Sequence, residues 1–511
     1  MNTKLLKQKI LDLAIRGKLT DQRKSDGTAR ELLEQISASR HLERDAKSAK
    51  SKNLVPIDPL DKSEAPFEIP DNWEWVKLGD VAKKITDGTH HSPINTENGE
   101  YMYVTAKNIK DNGINLDNIT YVSSDVHKEI YARCNPEKGD VLLIKDGATT
   151  GIVTVNNLDK PFSLLSSVAL IKLNSYIKSW YLAFVIRSSL FNQIIRNQMK
   201  GVGITRLILK QIENFVFPLP PLAEQQRIVE KIEEAFAEID AVEKNKELLK
   251  THIKQTRQKI LDLAIHGKLV PQDENDEPAR ILLEKILQEK ALSDNKKSSK
   301  KKKTDDIATS DNRPYKKNDS VSAEDAPFDI PNSWEWIKIK DICETFGRIG
   351  FRGYTKKDLV EKGQGAISLS PSNIIDMGLN FDKCTYISWF KYEESPEIML
   401  NIGDIVVVKT GSSYGKNAIV DRLPEKATLN PQLMVLKQIK CNHNYLCDFL
   451  NSNYFRKEFE NLVNGTAIPT FSQEKFSSKK FPLPPLAEQK RIASKIESLF
   501  SILDAMEEEC D

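Results

Sequence analysis

Residues 222–265 read LAEQQRIVEKIEEAFAEIDAVEKNKELLKTHIKQTRQKILDLAI. Apolar residues recur at Ile228, Ile232, Ala235, Ile239, Val242, Leu249, Ile253, Ile260 and Leu263, with Lys246 and Thr256 as the polar breaks in the stripe. Steps of four and three alternate throughout, which is the a/d seam of paired helices. Pro220 and Pro221 are a start signal and Gly267 a stop. The spacing predicts one helix from Leu222 to Ile265, about 66 Å long at 1.5 Å per residue. A stripe of that length needs a partner helix of similar length.

The chain ends supply candidates for that partner. Ile492, Ile496, Leu499, Leu503 and Met506 copy the first half of the stripe, and Leu6, Ile10 and Leu13 copy the second half. The copying is part of a wider repeat. Lys7-Gln-Lys-Ile-Leu-Asp-Leu-Ala-Ile-Arg-Gly-Lys-Leu19 returns at 257–269 with 11 of 13 positions identical. Ala65-Pro-Phe-Glu-Ile-Pro-Asp-Asn-Trp-Glu-Trp75 returns at 326–336, and Phe217-Pro-Leu-Pro-Pro-Leu-Ala-Glu-Gln225 at 481–489. Three matches in one order make the chain a tandem duplication with a unit of roughly 260 residues. The expected molecule has two globular heads spaced by an antiparallel helix pair, the chain ends together rebuilding the second helix.

Between these blocks only islands survive. Gly139, Asp140 and Lys145 correspond to Gly403, Asp404 and Lys409, and Asn108, Ile109 and Gly113 to Asn373, Ile374 and Gly378. A shared framework with divergent filling predicts two copies of one fold that read different things. The layout is a helical segment plus polar linker over 1–64, a head over 65–217, the central helical region over 218–291, a Lys/Ser/Asp-rich tether over 292–325, a second head over 326–481 and a last helix over 482–511. The tether and the polar stretch 37–64 cannot bury enough apolar area to fold alone.

Composition narrows the function. Lys and Arg number 75 against 73 Asp and Glu, so nucleic-acid binding must come from local basic patches. The mean hydropathy of −0.46 argues against a membrane span, and charges in Met1–Lys9 argue against a secretory leader. Six scattered cysteines without a C-x-x-C pair fit a reducing cytoplasm, with the thiols filling cores. The seven histidines have no metal-ligand spacing. Gly411-Ser-Ser-Tyr-Gly-Lys-Asn417 is one residue short of a phosphate loop and ends in Asn, so it reads as an ordinary loop after a strand. No glycine-rich cofactor loop follows a strand, and no catalytic constellation emerges.

Binding material is present instead. In the first head, Lys83, Lys84, Gly88, Thr89, His90 and His91 form a glycine-containing loop with donors and cations. The matching place in the second head offers Arg348, Arg352, Tyr354 and Lys356. Arginine can fork onto guanine, and glycine permits close backbone approach. A third place, Gly201, Thr205 and Arg206 against Gly465, suits either a tight turn or a phosphate contact. Lys145 and Lys409 end equivalent strands and read either as functional or as solvated lysines. Trp73, Trp75, Trp334 and Trp336 read as anchors of the head cores. A stand-alone helical scaffold whose heads bind protein is the alternative.

The three repeated blocks closely resemble the DNA-specificity subunit of type I restriction–modification systems, over essentially the whole chain and in both copies. The resemblance implies an α/β (α+β) fold with two target recognition domains on coiled-coil helices, each domain reading half of a bipartite, asymmetric site in double-stranded DNA. It implies two modification (methyltransferase) subunits and restriction (motor-nuclease) subunits as partners. S-adenosylmethionine, ATP and Mg2+ would belong to those partners, and this chain would carry no cofactor. Gly88-Thr-His-His-Ser-Pro93 also looks like a family motif of the first recognition domain, and the second copy lacks it.

Overall fold

The computed structural model describes residues 2–45, 56–60, 65–198, 206–300, 326–348, 350–375, 377–463 and 469–510. The predicted central helix is present as Leu222–Ile265, 44 residues without interruption. Contacts divide the chain into two compact units, residues 1–246 and 247–511, so the division falls inside that helix. Each unit is a head fused to its own helix pair. In the first, Leu11, Ala14 and Ile15 of the N-terminal helix share one core with Trp73, Val76, Ile228 and Ile232. In the second, Ile260, Leu261 and Ile265 share one with Trp334, Ile337, Ile492 and Ile496. The helical segments are therefore continuous with the heads rather than separate from them.

Within each unit the paired helices run antiparallel. Thr3–Ala14 meets the first half of the central helix through Lys7 to Asp240 and Thr3 to Glu243, while Gln22, beyond its other end, reaches Glu224. Leu486–Cys510 meets the second half through Arg257 to Asp504 and Glu507, while Gln272 reaches Glu488. Lys7–Asp240 and Arg257–Asp504 are one ion pair, kept in both copies. The seam is mostly inside: Ile228, Ile232, Ile239, Ile253, Ile260, Ile492 and Ile496 are buried, and Ile10, Leu13, Leu249, Leu499 and Leu503 half-buried. Leu6, Val242 and Met506 depart from the expectation and stand 37%, 41% and 42% exposed. The N-terminal helix starts at Thr3, opposite Glu243, so the stripe runs off the end of its partner there.

Two helices enter stretches whose composition predicts linker. Ala29–Asp45 is started by a reciprocal cap, Thr28 Oγ1 accepting from Glu31 N and Glu31 from Thr28 N. It is held by buried Leu32, Leu33 and Ile36. Ala279–Lys300 continues from buried Ala279 and Ile286 into the lysine-rich run, because Lys, Glu and Gln extend a helix that packing has nucleated. Residues 56–60 of the first expected linker are tied back to the unit, Ile57 N donating to Ser37 and Leu60 N to Trp75 O; the remainder of both linkers lies outside the described residues.

Each head is built on a four-stranded antiparallel sheet. In the first the order is Ala82–Asp87, Val168–Leu173, Val141–Ile144, Val153–Val155; in the second it is Glu344–Gly347, Leu433–Lys437, Ile405–Val408, Asn417–Ile419. The central strands Val141–Ile144 and Ile405–Val408 are buried throughout, as unbroken β-branched and leucine runs demand. A second, mixed sheet covers each, with three strands in the first head and four in the second. The glycine, aspartate and asparagine positions of the surviving islands are structural. Gly139 and Gly403 turn the chain so that Asp140 and Asp404 accept from Glu137 N and Asn401 N and pair with Lys172 and Lys437 at 2.8 and 2.9 Å. Asn108 and Asn373 each bridge a two-stranded hairpin, donating to Asn115 O and Asn380 O.

The repeated blocks converge at one place in each unit. Strand Glu74–Lys77 pairs with Val216–Leu219, and Glu335–Lys338 with Lys480–Leu483, in the same register. Gly17 and Gly267 have φ of +64° and +66°, and a Cβ at either would overlap Pro70 or Pro331. Trp73 Nε1 donates to Glu224 at 2.8 Å and Trp334 Nε1 to Glu488 at 2.9 Å, with all four side chains buried. Gln225 and Gln489 accept from Lys178 N and Asn442 N and donate to Pro220 O and Pro484 O. The Ala-Glu-Gln of the third block is thus a buried polar clasp that ties the helix start to the head. Trp73, Trp75 and Trp334 are buried and Trp336 half-buried, the anchors the sequence suggests.

Candidate nucleic-acid interface

The first head gathers its candidates around an acid the sequence reading passes over. Asp87 ends strand Ala82–Asp87 and is buried. Lys145 lies 3.5 Å from it, Arg133 2.5 Å and His90 3.3 Å. Lys145 is buried too and lies 3.2 Å from Asp146. Arg206 reaches Asp146 at 3.2 Å, and the two residues form a backbone bridge. Two carboxylates therefore organise four basic groups drawn from four separate segments. Arg133, His90 and Arg206 remain 52–60% exposed and can donate outward, while Lys145 is enclosed.

The loop after Asp87 is shaped by its smallest residue. A Cβ on Gly88 would overlap the Leu164 carbonyl, and Thr89 N donates to that carbonyl at 2.9 Å. Thr89 Oγ1 accepts from His91 N, leaving the His91 ring exposed. Lys83 is exposed, whereas Lys84 turns across the sheet and donates to Arg133 O and Asn135. Arg133 comes from helix Ser124–Arg133, 46 residues away in sequence. Only the fold brings it to Asp87, so no local motif announces it.

In the second head the candidates scatter. Arg348 is a correction to the expectation that it grips a base: the side chain is buried. Its Nε donates to Leu429 O at 3.0 Å and its Nη2 to Thr428 Oγ1 at 3.3 Å, and the guanidinium stacks 5.3 Å from the Tyr354 ring. Burial holds its pKa below the usual arginine value. The side chain ties the loop to strand Ala427–Leu429 because the Leu429 carbonyl, at that strand's end, needs a donor. Arg352 is half-buried 3.4 Å from Glu397, and the Tyr354 hydroxyl bonds Ser368 at 2.8 Å. Lys356 is exposed on the short turn Lys356–Asp358. Lys409 follows strand Ile405–Val408 and is half-buried. Gly201, Thr205 and Gly465 lie outside the described residues. Gly411–Asn417 forms the turn between strands Ile405–Val408 and Asn417–Ile419, as its sequence suggests.

Among the described residues no group of three or more His, Cys, Asp or Glu side chains could hold a metal, and no helix is long and apolar enough to cross a membrane. Cys134, Cys343, Cys441 and Cys447 are buried, and burial pushes the Cys134 and Cys343 thiols up to about 12. Thiols so placed pack and do not react at neutral pH.

Two α/β heads of one plan, each fused to paired helices and differing in the charged residues at the sheet ends, define a duplicated binding protein. The type I restriction modification DNA specificity domain matches this chain twice, over residues 70–251 and 331–510. The chain belongs to that family. The specificity subunit of the type I restriction enzyme EcoAI from Escherichia coli is 26% identical over 560 aligned positions, spanning 97% of this chain and 88% of the relative. The MjaVIII specificity subunit from Methanocaldococcus jannaschii is 23% identical, spanning 87% and 89%. A solved chain from work on complex assembly and conformational transition of the type I R-M system superimposes with a TM-score of 0.56 at 17% identity, covering 87% of this chain and 94% of that one. At that identity the likeness shows the fold. These relatives are specificity subunits of type I restriction enzymes.

Proposed function

We propose that this chain is the DNA-specificity subunit of a cytoplasmic type I restriction–modification complex, each head reading one half of a bipartite, asymmetric site in double-stranded DNA. Two modification subunits dock on the helical framework, and restriction subunits join in the full complex. S-adenosylmethionine, ATP and Mg2+ serve those partners. The observation that carries the reading is the contrast between a clasp whose tryptophan–glutamate and glutamine bonds recur in both units and sheet ends whose charged residues differ, within a chain that the specificity domain matches twice. A duplicated frame with individual faces suits two different half-sites. Methylome sequencing of a host carrying this chain with its methyltransferase partner tests it. A methylated motif in two parts with an unread spacer supports the reading, and no motif beyond that of the host alone removes it.

A further inference from the structure

The two heads treat one lysine in opposite ways. Lys145 and Lys409 occupy equivalent positions just past Val141–Ile144 and Ile405–Val408. The register identifies their surroundings. Ile144 lies opposite Val168 and Asp87 opposite Ala169; Val408 lies opposite Leu433 and Gly347 opposite Met434. Gly347 therefore stands where the first head has Asp87. The second carboxylate is gone as well: the bridge Asp146–Arg206 corresponds to Thr410–Thr470, whose hydroxyls bond each other at 2.9 Å. The second head has lost both acids and kept the lysine.

The ammonium still points at the vacated place. A Cβ on Gly347 would lie 3.4 Å from Lys409 Nζ. Lys409 forms no ion pair or side-chain hydrogen bond with the described residues, and burial alone draws its pKa below the usual lysine value. A half-enclosed cation without a counter-charge carries a desolvation cost that a ligand's acceptor can offset. Lys145 has that counter-charge built in.

We propose that Lys409 is a DNA-contacting residue of the second head, its ammonium donating to an electron-rich acceptor on the duplex, whereas Lys145 is a structural cation that Asp87 withholds from DNA. The acceptor is a phosphate oxygen or a purine edge. The assignment rests on the function proposed above and deepens it.

The test uses the chain assembled with its methyltransferase partner and duplexes bearing the methylome-defined site. Lys409→Met removes the donor. Gly347→Asp restores the missing carboxylate, and its Cβ requires only the flexible end of Gln473 to shift. Gly347→Asn adds the same bulk without charge. Thermal unfolding confirms that each variant is folded. Lys409→Met and Gly347→Asp are expected to weaken binding by about 5- to 150-fold, the range of one good polar contact, with Gly347→Asn close to wild type. If the acceptor is a base, the loss is confined to duplexes with an intact second half-site. If it is a phosphate, all duplexes weaken alike and the salt slope falls by about 0.9. Wild-type affinity for folded Lys409→Met and Gly347→Asp overturns the assignment. A wild-type complex that fails to distinguish its site from a scrambled duplex instead overturns the proposed function, and the two failures are separate readings of one titration.

Discussion

Glu224 and Glu488 are fully enclosed carboxyls, each accepting from a tryptophan and a glutamine, with Thr20 a further donor to Glu224. Burial is the larger effect at both and lifts their pKa above the usual 4.5, against the pull of those donors. A raised carboxyl holds its proton longer in the folded chain than in the unfolded one. Its contribution to stability is present in full below the unfolded value and is lost as pH rises through the folded value. Gln at either position removes that pH dependence and perturbs the donors by about 1–2 kcal/mol. The melting-temperature advantage of wild type over Glu224→Gln should therefore shrink as pH rises from roughly 4 to 7. An advantage that grows over that range would contradict the burial argument. Arg348→Ala is expected to act on folding and not on DNA. It leaves the Leu429 carbonyl without its donor, at a cost of about 1–3 kcal/mol, while the salt slope of binding stays unchanged. Urea unfolding and a salt titration measure the two effects separately.

At the scale of elements, the head is entered and left through one strand pair, with Trp75 opposite Pro218. Residues 76–216 thus form an insertion between neighbouring strands, fastened by a clasp that reaches into the exchanged segment at Lys178 N and Tyr176 O, both bonded to Gln225, while Tyr181 donates to Pro218 O. Replacing 76–216 with the matching segment of another family member should change one half-site and leave the other intact, as methylome sequencing would report. Simultaneous change in both would mean that the heads do not read independently. The paired helices were legible because their signal is periodic, with Pro220, Pro221 and Gly267 bounding the central one, whereas the far ends of Ala29–Asp45 and Ala279–Lys300 were not, their polar composition carrying no stripe. The repeated blocks were legible as framework, but the clasp was not, since Gly17, Trp73 and Glu224 meet only through tertiary packing. The candidate loops were found by residue type. Type alone does not say whether an arginine faces in or out, so Arg348 was misread, and Asp87 was missed because its role depends on Arg133 and Lys145, both remote in sequence.

For the whole molecule, the helix Leu222–Ile265 runs without a break across Lys246–Glu247, where the two units divide. We propose that its length sets the unread spacer between half-sites. Four residues inserted near Lys246 add roughly 6 Å and turn the following segment by about 40°. A base pair advances about 3.4 Å, so the spacer should lengthen by one or two base pairs with both half-sites unchanged. An active variant with the original spacer would show that the partner subunits hold the measure. The make-up of the first unit also fixes an order of events during synthesis. The N-terminal helix, with Leu11, Ala14 and Ile15 on its inner face, is covered by the helix that starts at Leu222 and by the head between them. At about 5–20 residues per second, some 10–40 s pass on the ribosome before that covering helix is made. The first unit is complete once Lys246 has emerged, and it can close before any of the second head exists.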